Sequence, residues 1–157
     1  MKKLGWILLV VFIAIQFIRP AKNVSTAAPV NDIASVSLVP DDVNQILHKA
    51  CYDCHSDNTH YPWYANIQPV YWWMDHHVDE GKDELNFSAW GTYKLKRKLR
   101  KYVEISEQVT EGEMPLESYT WMHADAKLSR EEANLVINWA NDMARKLQQD
   151  SLLVSVH

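Results

Sequence analysis

The chain has 157 residues, with 16 Lys and Arg, 20 Asp and Glu, seven His and two Cys. That length suits one domain, and 47% apolar with 23% charged residues is a globular composition, which excludes a disordered tail and a multi-span membrane protein. No acidic residue lies in the first 19 positions, so the remainder is strongly acidic and a poor match for nucleic acid; two cysteines are too few for a disulfide framework or a four-thiolate zinc site.

Lys2 and Lys3 precede an apolar run from Leu4 to Ile18, broken only by Gly5 and Gln16 and closed by Arg19-Pro20. As a helix it would cover roughly 22 Å, short of a ~30 Å hydrocarbon core, although Lys3 and Arg19 could snorkel. Residues 1–20 are therefore expected to be an N-terminal transmembrane anchor or a cleaved signal, the anchor being favoured because no small-residue cleavage site follows the run. Both readings place the rest outside the cytoplasm, on the periplasmic face of a membrane. A buried core helix fits poorly, because the run is apolar on every face.

Residues 21–40 are rich in Ala, Val, Ser and Pro without a sustained period and read as a linker. Pro40-Asp41-Asp42 starts a helix: the carboxylates favour its positive end, and Val43, Ile46, Leu47 and Ala50 repeat at helical spacing. Residues 56–66 read as a loop. Pro69 suits the first turn of a second helix over 67–81, ending near Gly81. A third helix is expected over 92–111, with Gly112 as its stop. Ser129 and Glu132 form a capping box for the last helix, whose stripe is Ala133, Val136, Ile137, Ala140 and Leu147. No strand pattern or internal repeat is present, so the fold class is all-α. The domain is expected over 41–150, with 151–157 as a tail.

Cys51-Tyr52-Asp53-Cys54-His55 is C-x-x-C-H, the spelling of c-type haem attachment. Two thiols three positions apart on a helical turn can each add across one vinyl group of a porphyrin. The His directly after them is then placed to give an imidazole nitrogen to iron. A thioredoxin-like pair would need a preceding strand and a βαβ context, a zinc site would need a second ligand pair, and a plain disulfide is the remaining alternative. Export agrees with haem, since c-type attachment takes place outside the cytoplasm.

The occupant of the sixth iron position decides the chemistry. Met114 lies in Thr110-Glu111-Gly112-Glu113-Met114-Pro115, just past a helix stop, and Pro115 biases it away from helical geometry. Met74 and Met143 sit within helices as core fillers. Met122 and His123 share a loop and compete, His76 and His77 diverge on a helix, and an open sixth position is a further alternative. Six basic residues between Lys94 and Lys101 form either a solvated face or a docking patch for an acidic redox partner or anionic lipid. Trp63, Trp72, Trp73 and Trp90 either wall a flat cofactor or pack a core.

Taken together, Cys51 to Ser56, Tyr61-Pro62-Trp63-Tyr64, Leu85 to Trp90, Gly112-Glu113-Met114-Pro115 and the Leu128-Ser129 helix start leading to Trp139 resemble a known family. These are the small exported haem-binding domain proteins with a single C-x-x-C-H, similar to cytochromes c, and the resemblance spans residues 38–142. It implies a cytochrome c-like helical fold with covalent haem, and it adds to the case for Met114. The expected protein is a monohaem c-type cytochrome that passes single electrons to an unidentified redox partner. Cys51 and Cys54 would hold haem c, with His55 and Met114 on iron. The alternatives are a peroxidase-like enzyme using His60 or His123 beside an open iron, and a haem-based sensor.

Overall fold

The computed structural model describes residues 1–154, with side chains through Leu152. Eight α-helices occur in order: α1 Lys2–Ile15, α2 Ile33–Val36, α3 Asp41–Ala50, α4 Tyr52–His55, α5 Val70–Glu84, α6 Leu95–Glu111, α7 Glu117–Thr120 and α8 Arg130–Val154. Short 3-10 turns at Trp63–Asn66, Phe87–Thr92 and Ala124–Ala126 link them, and the described residues contain no strand, as an all-α fold requires.

The long helices α6 and α8 pack on one another, and α3 lies against α8. Between them sit Leu47, Trp90, Tyr102, Val136 and Trp139, all buried. Tyr102 meets Trp90 edge-on at 4.7 Å between ring centroids and Trp139 at 5.4 Å, the T-shaped arrangement that aromatic quadrupoles favour. The expected capping box closes α8, with the Ser129 amide donating to Glu132 Oε2 (2.9 Å) and the Glu132 amide to Ser129 Oγ (3.2 Å). Of the Trp residues only Trp90 and Trp139 are buried in this core, while Trp6, Trp63, Trp73 and Trp121 are exposed.

The N-terminal run forms a helix shorter than the run itself. Its helix, α1, has 14 residues and ends at Ile15, and no described helix is long and apolar enough to cross a membrane. The cause is a set of hydrogen bonds just past the helix end. Gln16 Oε1 accepts from the Gln68 amide (2.9 Å), Arg19 donates to the Asn66 carbonyl (3.0 Å), and Gln68 and Trp72 donate to the Ile18 carbonyl at 2.9 and 3.0 Å. Residues 16–19 are thereby latched to the approach to α5 instead of extending the helix. None of the α1 residues is buried.

The stretch expected as a linker is also packed. Ile33 is fully buried, Asp32 accepts from the Tyr52 hydroxyl (2.9 Å), and the Gly91 amide donates to the Asn31 carbonyl (2.8 Å). Residues 151–154 continue α8, and the rest of the expected tail lies outside the described residues.

Gly81 is the instructive departure. Read as a helix stop, it lies inside α5, which continues to Glu84. A Cβ there would stand 2.7 Å from the Cys54 carbonyl oxygen and 3.2 Å from its carbon, so glycine is what allows α5 to close on α4. Ala would gain about 1 kcal/mol of helix propensity. The contact is with backbone, however, and overpacking of this kind costs about 1–3 kcal/mol. Gly81→Ala is therefore expected to lower the urea midpoint of the apoprotein and the yield of haem-loaded protein, whereas Gly5→Ala, in open space, leaves both unchanged.

Candidate functional site

The site grows from the end of α3. Cys51 caps that helix with its amide on the Leu47 carbonyl (2.9 Å), and the chain then re-enters one helical turn, with the His55 amide on the Cys51 carbonyl (3.0 Å). This break between α3 and α4 sets Cys51, Cys54 and His55 around a single turn. Tyr52 anchors the turn from the other side, stacked on Phe87 at 5.1 Å and bonded to Asp32.

His55 Nδ1 lies 2.8 Å from the Gly81 carbonyl and 3.0 Å from the Leu85 carbonyl. Two acceptors at one ring nitrogen require that nitrogen to carry the proton, which leaves Nε2 with a free lone pair, the tautomer and orientation that a metal ligand needs. Burial holds the imidazole pKa below its ordinary value; the two carbonyls oppose this, and the Lys101 charge adds to it. The ring is thus neutral at physiological pH. Burial, and then the charge of Cys54, pushes the Cys51 thiol up to about 12; burial and Asp53 push Cys54 up to about 11. Both sulfurs are free thiols.

Met114 is delivered by the end of α6. Gly112 adopts φ +74°, and the Glu113 and Met114 amides both return to the Gln108 carbonyl at 3.0 and 3.2 Å. That left-handed turn closes the helix and folds the next residues back over it.

Two adjoining cavities result. One, of about 360 Å³, is lined by Cys51, His55, Leu85, Lys101, Ile105 and Met114 among others. The second, of about 260 Å³, is lined by Cys51, Cys54, His55, Gly81, Met114 and Tyr119 among others. Cys51, His55 and Met114 border both. The residues fit a haem: two thiols at helical spacing, a neutral imidazole with its far nitrogen free, and a thioether on the wall of the same space, which together fall in the size range of small-molecule sites.

The remaining candidates separate cleanly. Met143 is buried in the core cluster, and Met74 is half-buried on a pocket of about 40 Å³ that borders neither His55 nor Met114. His60 and His123 border that same small pocket and neither large cavity. Met122 and His76 are exposed. His77 borders the 260 Å³ cavity while its Nδ1 lies 2.8 Å from the Trp73 carbonyl. None of Trp63, Trp72, Trp73 and Trp90 lines either large cavity.

The basic run also divides. Lys94, Lys96 and Arg100 are exposed, whereas Arg97 lies over the Tyr93 ring at 4.0 Å and Lys101 is buried. Sequence reasoning missed Lys101 by counting it with the surface charges. Its signal was available: it stands four residues before Ile105, on the buried stripe of α6. Tyr119 was missed as well. Its hydroxyl donates to Asp53 Oδ2 (2.7 Å), tying α7 to the turn between the cysteines, and burial raises its pKa.

The sequence matches the haem-binding domain family over residues 10–142, and the chain belongs to that family. No curated protein and no solved structure matches it. The chain is accordingly a haem-binding protein of all-helical fold.

Proposed function

We propose that this protein is a monohaem c-type cytochrome, with a cytochrome c-like arrangement of helices and haem c held by thioether bonds from Cys51 and Cys54. The observation that carries the reading is that His55 and Met114 border the same two cavities as Cys51. The bound haem supplies one-electron exchange at iron. The chain does the rest. Cys51 and Cys54 would tether the group, the Gly81 and Leu85 carbonyls hold His55 Nδ1 and so leave Nε2 free to bind iron, and the Gly112 turn would present the Met114 thioether. A thioether at the sixth position favours the ferrous state and excludes small ligands, which suits a carrier. A potentiometric titration of purified holoprotein should fit one electron, with negligible peroxide turnover. A high-spin protein that turns over peroxide would overturn the proposal. The peroxidase-like reading finds less support, since its acid–base candidates His60 and His123 border the 40 Å³ pocket and neither large cavity.

The protein is proposed to act outside the cytoplasm, held at the periplasmic membrane face by the exposed apolar α1. Residues 16–19, bonded to the domain, favour retention of the segment. The haem protein should sediment with membranes and resist a high-salt wash, and a native N-terminus beyond Pro20 would contradict this.

Its electron partner is proposed to be an acidic redox protein approaching Lys94, Lys96 and Arg100. Reversing the charge of Lys96 and Arg100 should slow electron exchange with an acidic donor and flatten its salt dependence, because about 8 Å of Debye screening at physiological ionic strength already weakens such steering. Equal rates in both proteins at low salt would remove this face from the reading.

A further inference from the structure

Lys101 is a lysine inside the cavity rather than on the surface. Its side chain is 4% exposed, and it borders the 360 Å³ cavity together with His55 and Met114. Lysine is almost never fully buried unless paired. Its ammonium meets Glu84 Oε2 at 3.2 Å and Glu104 Oε2 at 2.5 Å. The two partners are unlike: Glu104 is three residues on in the same helix, whereas Glu84, at the end of α5, is 81% exposed. Glu84 can therefore leave for water without leaving a buried charge unpaired.

The position of this cation within the site is specific. Of the two large cavities, Cys54 borders the 260 Å³ one alone and Lys101 the 360 Å³ one alone, while Cys51, His55, Glu84 and Met114 border both. A haem carries the vinyl groups that take thioethers on one part of its rim and two propionates on another. With Cys54 on the 260 Å³ side and Cys51 between the two cavities, the propionates belong toward the 360 Å³ side, where Lys101 lies.

We propose that Lys101 is a carboxylate-binding residue of the haem site, its ammonium exchanging Glu84 for a haem propionate while keeping Glu104. This rests on the reading of the cavities as a covalent haem site. It gives the buried charge a function in placing the ring, beyond joining α5 to α6.

The test uses ferrous holoprotein whose haem is labelled with 13C in the propionate carboxyls. The titratable groups that face Lys101 are Glu84 from α5, Glu104 from its own helix and, across the cavity, the neutral His55, so the carboxyl resonances are followed directly instead of inferring the pairing from bulk pH behaviour. In the wild type, one propionate should titrate about 1–3 pH units below the other, as a carboxylate beside a cation does. Lys101→Gln should raise that titration toward the second propionate's, and Lys101→Arg should keep it low. Two wild-type propionates titrating together would overturn the proposal, as would a split that survives in Lys101→Gln. Should Lys101→Gln not mature, the wild-type pair of titrations decides alone. Failure of the underlying haem reading is recognised separately: the denatured polypeptide would then have its bare mass, with no haem attached.

Discussion

Met114→Ala is expected to convert the ferric protein from essentially all low spin to essentially all high spin, lower its reduction potential, and admit carbon monoxide and peroxide. The Gly112 turn fixes the methionine on the wall of both cavities, and no other Met borders either. On the proposed ligation, removing the thioether would leave the sixth iron position without a donor, while His55 would keep its two carbonyl partners. Met114→His should restore low spin but not the high potential, because imidazole is the stronger donor to ferric iron. Met143→Ala is the contrasting control. That side chain is buried among Tyr102, Val136 and other core residues, so its loss should cost about 2–5 kcal/mol of stability and leave the spectrum alone. Visible absorption and carbon monoxide difference spectra of the three variants check the set.

The second large effect concerns attachment. Cys51→Ala with Cys54→Ala is expected to abolish retention of haem after acid extraction, from complete in the wild type to none. The folded domain should remain, because neither sulfur takes part in a disulfide and both residues line the cavities. Any haem left in the native double variant would be held by His55, Met114 and cavity contacts alone, and denaturation should release it. Wild-type protein matured in a host competent for c-type attachment, yet releasing all its haem on extraction, would contradict the assignment of both cysteines.

The grouping of Cys51, Cys54 and His55 around one turn was legible in the sequence because it is local, one turn being written in five letters. The position of Met114 just past the end of α6 was legible for a related reason, since glycine after a helix and proline after methionine each restrict the backbone at their own position. The helix ends that depend on local caps, such as Pro40 before α3, Gly112 after α6 and Ser129 before α8, fell where composition placed them. Gly81 did not. Its role is set by the Cys54 backbone 27 positions earlier in the chain, and nothing near Gly81 in the sequence records that approach.

The same distinction explains the N-terminal segment and the basic run. Hydropathy identified Leu4 to Ile18 as one apolar unit, but Gln16 and Arg19 are claimed by Gln68 and Asn66, so the helix stops early. Residues 21–40 look unstructured by composition, yet Ile33 supplies a fully buried side chain and Asp32 anchors Tyr52. Lys101 reads as one of six cations until the stripe through Ile105 is followed backward by one turn. For the N-terminal segment and residues 21–40 the deciding contact is with a residue remote in sequence. Local pattern then gives the element type and leaves its ends and its inward charges to tertiary packing.

The central proposal is that His55 and Met114 would both give a donor atom to the iron of a haem held by Cys51 and Cys54. The absorption spectrum of the ferric wild-type protein, recorded after maturation in a c-type-competent host, tests it most directly. The account predicts a low-spin spectrum with the weak red charge-transfer band of thioether-ligated ferric haem. A high-spin spectrum, or a low-spin one without that band, would contradict it.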